Sequence, residues 1–535
     1  MPTPTAAPAA TASPVRSSAQ EWRSALVWIL GALLLRTGLA ALVPLLPDET
    51  YYWEWSRRLE AGYFDHPPGI ALLIAFGTAL FGDTHAGVRA GPAMAALLTH
   101  LAAVACAWQL AGKGAPGATA ARRAAQLLTL LPIATLGLVI ATPDAALFAT
   151  AMVALLAVER ALATPVRSLI SLGWWTLAGL ALGGAFVSKY TAVLLPMGLV
   201  IACLVHPALR RRFLDAGPWV ASALALALFA PVVLWNALND WISFRFQLGH
   251  GFNPSARGNP LSRELEMLGG QAGLASPILF GLLAIVVWFA LHDGWRTRHT
   301  AAPTDLATRR FALAMIAVVP LGFFAISAWR RAVEANWPAM IYPGAMMLLA
   351  TSEWPAARGV WWRRGLWLAA GLLAIVTVQA WRPILPLAPR RDPIARAHGW
   401  TTLAAAVDRA RRDPFLDGTV DRWIAADRYQ DASELAFHLP DQPTVFALNL
   451  GGRTNQYDVW PNAFGKVRPG DGLVVAFDAD AKGDSLAAVV GGWFDRTQPG
   501  ELVSLQRNGG EITTRRIWLY RIARDFPRQR PGATR

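Results

Sequence analysis

Long apolar runs separated by short polar stretches fill the chain as far as residue 381. Since about 20 apolar residues cross a bilayer core, this pattern predicts about eleven membrane-spanning helices. A further apolar run at 68–82 has only about fifteen residues and glycine at both ends, so it is predicted to be a re-entrant or interfacial helix. The predicted spans are 24–46, 86–111, 123–141, 144–163, 169–187, 190–206, 217–238, 271–291, 311–328, 336–351 and 364–381.

The pattern changes after residue 383, where short apolar runs alternate with amphipathic ones between Gly, Pro and Asp. Runs of this kind are typical of strands and helices of modest length. We therefore predict a small α/β domain at 384–526, after a transmembrane domain at 22–383. An Ala/Pro/Thr/Ser-rich segment at 1–21 is predicted to be a disordered tail, and 527–535 a frayed one. The predicted strands are 420–425, 445–448, 473–477 and 517–522, and the predicted helices are 429–437 and 484–490.

Composition supports an all-α polytopic bundle for residues 22–383. Of 535 residues, 54% are hydrophobic and 16% are charged, against about 25% charged in soluble domains. The net charge of +14 lies largely in short loops and the last 150 residues, so topology and lipid headgroups explain it and nucleic acid is not expected as a partner. Cys106 and Cys203 both fall within apolar runs, which excludes a disulfide framework and a cysteine metal site.

Loop charges orient the predicted helices. With the N-terminus inside, every predicted cytoplasmic loop carries Lys or Arg, as positive-inside topology requires. The opposite loops carry most of the acids at the membrane edge, and an odd number of spans places 384–535 outside. Candidate chemistry therefore gathers at the outer face.

The first outer loop, 47–85, opens with Asp48 and Glu49 directly after an apolar run. A carboxylate near hydrocarbon is costly unless it is paired, hydrated or used, which favours a function. An amphipathic interfacial helix is predicted at 51–59. The following Pro67 disfavours helical geometry before it, so Asp65 and His66 are predicted to be extended. The pair is compatible with a phosphate contact or with a divalent metal.

The other polar residues at the outer face each have two possible interpretations, one structural and one functional. Asp144 either caps a helix or joins Asp48 in a reactive site. Lys189 either snorkels to the interface or pairs with an anionic group. Arg330 and Arg331 form either a solvated turn or, near Glu334, Asn336 and Trp337, a phosphate-recognition site. The tryptophans are mostly interfacial anchors, but Trp53, Trp55 and Trp337 are also able to stack on a sugar.

Together these motifs resemble the bacterial glycosyltransferase family 39 branch of the GT-C superfamily. They are DETYYWEWS (48–56), GYFDHPP (62–68), TPD (142–144), SKYT (188–191), WN (235–236), EANWP (334–338) and NQYDVW (455–460). The resemblance implies transfer of a sugar, with inversion, from a polyprenyl (undecaprenyl) phosphate carrier to an acceptor beyond the membrane. It also implies a bacterial inner-membrane location with the C-terminal domain periplasmic.

By motif, Asp48 resembles the catalytic acid, Asp144 a second acid, and Lys189 the donor-phosphate lysine. Arg330, Arg331 and His66 are further phosphate candidates, although His66 stands where related aminoarabinose transferases have lysine. Asp65 matches an acid that lies near a metal in those relatives; no cofactor is assigned as required. The remaining candidates for the sugar and acceptor site are Glu49, Tyr52, Trp55, Asp65, Glu334, Asn336 and Trp337.

The predicted acceptor is lipid A, lipopolysaccharide or another envelope glycan. A protein Ser/Thr acceptor is an alternative, and a lipid-linked-sugar flippase is another. A transporter is expected to place polar groups at the membrane midplane within repeated units. Here the acids lie at the outer edge and no repeat is found, which favours a transferase.

Overall fold

The protein was analysed as a computed structural model that describes residues 17–252, 258–353 and 356–531. It is largely helical as far as Trp381, and a mixed sheet with flanking helices follows. The helices are α1 Ser18–Leu42, α2 Pro47–Ser56, α3 Gly69–Phe81, α4 His85–Ala111, α5 Ala115–Leu130, α6 Pro132–Gly137, α7 Pro143–Ala163, α8 Leu169–Ser188, α9 Leu194–Val205, α10 Pro207–Arg210, α11 Ala216–Leu238, α12 Ile242–Phe252, α13 Pro260–Ala275, α14 Pro277–Thr297, α15 Leu306–Arg330, α16 Tyr342–Ala350, α17 Ala356–Trp381, α18 Trp400–Ala410, α19 Tyr429–His438, α20 Gln456–Val459, α21 Ala463–Lys466 and α22 Ala481–Gly491.

Eight helices in the described part of the chain are long and apolar enough to cross a membrane, namely α1, α4, α7, α8, α11, α14, α15 and α17. Each corresponds to a predicted span. The predicted span 190–206 becomes a 3-10 turn followed by α9, and the chain then bends by 108° into α10. If that bent pair counts as one crossing, the structure has up to nine. The chain is a multi-pass membrane protein.

The two other predicted spans correspond to shorter helices. Residues 123–141 divide between α5 and α6, because Pro132 lacks the amide that would continue the first helix. Residues 336–351 form a 3-10 turn, Trp337–Ile341, and the nine-residue α16. The span predicted to begin at 271 begins at Pro277 instead, because Ser276, with a φ of 65°, interrupts the helical geometry between α13 and α14.

The 13-residue α3 is the short apolar helix expected at 68–82. It packs against α4 at glycines that allow close approach: a Cβ on Gly91 would lie 2.0 Å from the Leu73 carbonyl oxygen, and one on Gly77 would lie 2.2 Å from that of Gly87. Small residues at such crossings are how membrane helices maximise contact. This packing holds the first outer loop against the bundle.

A five-stranded mixed sheet forms the C-terminal α/β region. Its strands are β1 Arg422–Ala426, β2 Val445–Ala447, β3 Gly472–Asp478, β4 Phe494–Arg507 and β5 Gly510–Ala523, in the order β2-β1-β3-β5-β4. Strands β1, β2 and β3 are parallel, whereas β5 is antiparallel to both β3 and β4. The predicted strands and helices are all present, but β4, α18 and the short helices α20 and α21 are additional.

A hydrophobic core joins this region to the first outer loop. Tyr51, Trp55 and Ile70 from the loop share it with Trp400 and Leu435 from the C-terminal region, and all five are buried. Helix α2 is consequently buried on nearly every side. The predicted helix at 51–59 thus differs from α2 in its bounds; Glu54 on its polar flank is buried, whereas Arg57 and Leu59, beyond the end of α2, are exposed.

The chain ends differ in part from the predicted tails. Helix α1 begins at Ser18, where Ser17 caps it, so the last residues of the predicted 1–21 tail are helical. Residues 1–16 and 532–535 lie outside the described residues. In the predicted 527–535 tail, the Arg530 guanidinium lies 3.2 Å from the Asp458 carboxylate and ties that segment to the domain.

Candidate active site

A cavity of about 540 Å³ lies where the transmembrane bundle meets the first outer loop and the C-terminal region. Nine of the predicted site residues line it together with aromatic and aliphatic side chains. These nine are Asp48, Tyr52, Asp65, His66, Asp144, Lys189, Glu334, Asn336 and Trp337. Residues more than 250 positions apart in the sequence therefore converge on one space.

Asp48 lies in the first turn of α2, which begins at Pro47 because proline is favoured at the start of a helix. Its side chain is 38% exposed toward the cavity, and its Oδ2 lies 3.4 Å from an Nη of Arg396. Partial burial raises the pKa of the Asp48 carboxyl above its ordinary value; Arg396 lowers it, whereas Asp65 and Glu49 raise it. A carboxylate with a raised pKa is a better proton acceptor near neutral pH.

Glu49 does not line the cavity, contrary to the prediction for the sugar site. It is fully buried and forms a two-point ion pair with Arg89 of α4, at 2.8 and 2.5 Å. It also accepts hydrogen bonds from the amides of Leu46 and Ala141, both at 2.9 Å. The side chain therefore fastens α2 to α4 and to the segment before Asp144.

Asp65 is held on both carboxylate oxygens. The Tyr51 hydroxyl donates to Oδ2 at 2.8 Å, and Arg453 Nη1 donates to Oδ1 at 2.8 Å. His66 lines the cavity beside it, and both residues lie in a bend between α2 and α3 rather than in the predicted extended segment. Among the described residues, no group of three or more His, Cys, Asp or Glu side chains is placed to hold a metal ion.

Lys189 and Asp144 form a buried ion pair at the ends of two helices. Lys189 Nζ donates to Asp144 Oδ1 at 2.8 Å, and Asn336 Nδ2 donates to Oδ2 at 3.1 Å. Asp144 lies in the first turn of α7, and Lys189 caps the C-terminus of α8, so each charge interacts favourably with its helix dipole. The Asp144 carboxylate fixes the ammonium at the cavity wall.

An apolar wall forms part of the cavity lining. It consists of Val193, Leu194, Phe246, Leu248, Phe323 and Phe324, from the 3-10 turn before α9 and from α9, α12 and α15. The cavity is therefore amphiphilic, because ionic groups and apolar side chains line the same space.

Comparison with known proteins gives matches of three kinds. Residues 65–235 match the family described as dolichyl-phosphate-mannose-protein mannosyltransferase. A lipid A galacturonosyltransferase, RgtD, of Rhizobium johnstonii is 31% identical over 264 residues, which cover 48% of this chain and 52% of that protein. An undecaprenyl phosphate-α-4-amino-4-deoxy-L-arabinose arabinosyl transferase of Pseudomonas paraeruginosa is 27% identical over 328 residues, 55% of this chain and 54% of the relative. The chain thus spans about half the length of the curated relatives it matches.

Solved structures match over almost the whole chain. The apo form of ArnT from Cupriavidus metallidurans superposes with a TM-score of 0.60 and 15% identity, covering 94% of this chain and 98% of that one. ArnT bound to undecaprenyl phosphate gives a TM-score of 0.58 with 15% identity, 92% of this chain and 97% of that one. The chain has a GT-C fold. With the sequence matches, this confirms the predicted resemblance to glycosyltransferase family 39.

Three further predicted site residues have side chains that do not line the cavity. Trp55 is fully buried and stacks on Tyr63. Arg330 is exposed at the end of α15. Arg331 lies with its guanidinium carbon 5.7 Å from the Trp337 ring centroid, behind the tryptophan that lines the cavity. A direct phosphate contact through either arginine therefore has no support in this geometry.

The cavity region also contains residues that no sequence motif indicated. Tyr429, from the start of α19, and Arg453, from the loop after β2, both line it. Arg396, in a 3-10 turn before α18, reaches Asp48 from the same region. No local pattern singles these residues out; the nearest signal is the NQYDVW motif just beyond Arg453, whose Gln456 accepts a hydrogen bond from the Phe64 amide at 2.7 Å.

Proposed function

We propose that this protein is a membrane glycosyltransferase that moves a single sugar from a polyprenyl phosphate carrier to an envelope acceptor, with inversion. Lipid A or another envelope glycan is the acceptor class that the relatives favour. The observation that carries the proposal is the cavity in which Asp48 and the Lys189–Asp144 pair face one another beside an apolar wall. Such a site has room for a sugar, a place for a phosphate and a surface for a lipid.

Asp48 is proposed as the general base. The acceptor hydroxyl oxygen attacks the anomeric carbon, Asp48 Oδ takes the hydroxyl proton, and the bond from that carbon to the phosphate oxygen breaks. General base catalysis of this kind contributes roughly 10²–10⁴-fold. The raised pKa of Asp48 suits this role, and its partial exposure toward the cavity leaves the carboxylate accessible to a hydroxyl.

Lys189 is proposed to bind the phosphate that leaves with the carrier. The bonding electrons pass to the phosphate oxygen, and a fixed cation stabilises the charge that develops there. Asp144 holds Lys189 in place from the opposite side, so we assign Asp144 a positioning role. Asn336 orients that carboxylate in turn through its second oxygen.

The apolar wall is proposed to receive the first prenyl units of the carrier. Val193 is 53% exposed, so the wall continues onto the outer surface of the bundle where lipid would approach. In the proposed topology the N-terminus is cytoplasmic and the C-terminal α/β region, residues 384–526, lies in the periplasm of a bacterial inner membrane. The sugar would then be transferred on the periplasmic side.

A donor panel tests the proposal. The purified full chain in detergent is incubated with undecaprenyl phosphate sugars and envelope extract, and loss of the lipid-linked sugar is followed by mass spectrometry. We expect the wild type to consume one donor and Asp48→Asn to consume none. Asp240→Asn is the matched control, because Asp240 is an exposed outer acid away from the cavity lining, and asparagine tolerates its φ of 55°. Full activity of Asp48→Asn would refute the base assignment, whereas donor translocation by reconstituted vesicles without consumption would favour a flippase.

A further inference from the structure

We propose that Arg453 binds an anionic group, a carboxylate or a phosphate, on the sugar end of one of the two substrates. The assignment rests on the proposed function, since it concerns the same cavity. It makes the C-terminal α/β region part of the substrate site rather than a cover over it.

Arg453 is held rigidly at the cavity wall. Its Nη1 donates to Asp65 Oδ1 at 2.8 Å, and its Nη2 donates to the Tyr429 hydroxyl oxygen at 3.2 Å. The guanidinium carbon also lies 5.2 Å from the Phe246 ring centroid and 5.3 Å from that of Tyr429. Aromatic rings on a guanidinium favour its charge and restrict its motion. The orientation of this cation is therefore fixed before any ligand arrives.

The side chain nevertheless keeps 45% of its surface exposed. Arg89, whose role is structural, differs in that all five of its donors are occupied and only 4% of its side chain is exposed. A guanidinium has five donors in a planar fork, and a carboxylate or phosphate oxygen pair matches the part of the fork that remains open. Neutral sugar hydroxyls do not require a cationic partner.

The charge distribution in the cavity favours the same conclusion. Among the described residues that line it, Lys189 and Arg453 carry the only formal positive charges of lysine or arginine. Lys189 is paired with Asp144, whereas Arg453 is paired with Asp65, whose charge also acts on Asp48. Without Arg453, an anionic substituent near the reacting hydroxyl or sugar would meet those two carboxylates with Arg396, which lies outside the cavity lining, as the remaining neighbouring cation.

The anion has two chemically equivalent sources. A uronosyl donor carries a carboxylate on the transferred sugar, and a phosphorylated glycolipid acceptor carries a phosphate near its hydroxyls. Either would present paired oxygens to the same guanidinium. The experiment therefore varies the donor and the acceptor separately.

Steady-state transfer is measured for the wild type, Arg453→Gln and Arg453→Lys in the full-length detergent-purified chain. One arm compares undecaprenyl phosphate galacturonate with undecaprenyl phosphate galactose. The other compares lipid A with dephosphorylated lipid A. The matched control is Arg409→Gln, because Arg409 forms an exposed ion pair with Glu501 at 2.8 Å in the same α/β region, away from the cavity.

We expect Arg453→Gln to raise KM for the anionic member of one arm about tenfold or more, as loss of a charge-assisted hydrogen bond implies. The neutral member is expected to change less than about twofold, and Arg453→Lys is expected to recover part of the loss. The arm that responds names the source of the anion. Since Arg453→Gln leaves Asp65 without its counter-ion, the double variant Asp65→Asn/Arg453→Gln is included to restore local neutrality. It is expected to show the same difference in KM between the charged and neutral substrates as Arg453→Gln.

Equal losses for charged and neutral substrates in every variant would overturn the assignment and make Arg453 a structural partner of Asp65. Unchanged kinetics in both arms would overturn it as well. If the wild type transferred no sugar from any donor, the proposed function itself would be refuted. That result differs from a wild type that transfers sugar but whose Arg453 variants do not distinguish charged from neutral substrates, which would refute only the assignment of Arg453.

Discussion

The buried pair between Glu49 and Arg89 offers the sharpest test of how the site is held together. Arg89 directs five hydrogen bonds to its surroundings: two go to Glu49, and the others go to the carbonyl oxygens of Ala40, Val43 and Pro44. Side-chain exposure is 4% for Arg89 and zero for Glu49. Every donor of the guanidinium is thus satisfied in a place that water does not reach.

Glu49→Ala leaves this guanidinium buried without its counter-ion. Removing one member of a buried pair costs about 3–5 kcal/mol, because the remaining charge is uncompensated. The amides of Leu46 and Ala141 also lose their acceptor, so we expect the upper part of that range. Glu49→Gln keeps an acceptor oxygen and is expected to cost less.

Chemical unfolding in detergent micelles measures the loss in the free energy of unfolding. Glu501→Ala serves as the control, because its ion pair with Arg409 is exposed and such pairs contribute at most about 1 kcal/mol. In the double variant Glu49→Ala/Arg89→Ala, the cost is expected to be smaller than the sum of the single costs. A Glu49→Ala chain as stable as the control, with a raised KM for substrate, would show that Glu49 contacts the sugar and that the fastening role is wrong.

Three further predictions address the site directly. Lys189→Met is expected to lower kcat/KM by about 10²-fold, because a cation at the leaving phosphate is lost, while Lys189→Arg retains part of the rate; donor-consumption kinetics measure both. Arg396 lowers the pKa of Asp48, so Arg396→Gln is expected to raise that pKa. Activity needs the ionised carboxylate and is lost as the pH falls through its pKa, so the acid limb of the pH profile of kcat/KM is expected to move to higher pH. An unchanged acid limb would refute Asp48 as the titrating group. Gln456→Ala leaves the buried amide of Phe64 without its acceptor and is expected to destabilise the chain by about 1–3 kcal/mol, and unchanged thermal unfolding would contradict this.

Much of the architecture follows from the apolar pattern of the sequence. Each helix that is long enough to span was predicted, because hydrophobic length is a local property. The wrong predictions fall where contacts between distant parts of the chain determine the local structure. The strand Phe494–Arg507 escaped prediction because Pro499 and Gly500 interrupt it, yet pairing with β5 continues on both sides of a bulge there.

Nine of the residues singled out by motif line the candidate cavity, whereas Tyr429 and Arg453 line it without having been singled out. Asp48 and Glu49 are neighbours, but helical geometry turns successive side chains by about 100°, so one faces the cavity and the other faces Arg89. Trp55 lies about two turns further along α2, roughly 10 Å beyond Asp48, where Tyr63 covers it. Tyr429, at the start of a helix, and Arg453, in a loop, are about 400 residues from Asp48 in the sequence, and only the tertiary fold brings them to the same cavity.

The shared core between the first outer loop and the C-terminal region has a consequence for biogenesis. The loop is complete at His85, but the residues that cover its aromatic side chains begin near Trp400. Roughly 300 residues must be synthesised in between, which at roughly 5–20 residues per second takes on the order of 15–60 s. Throughout that interval Tyr51 and Trp53 lack the rings of Tyr429, Tyr457 and Phe437, against which they pack in the finished protein. The membrane bundle can therefore be inserted before the cavity exists, and a region synthesised after the bundle completes the cavity.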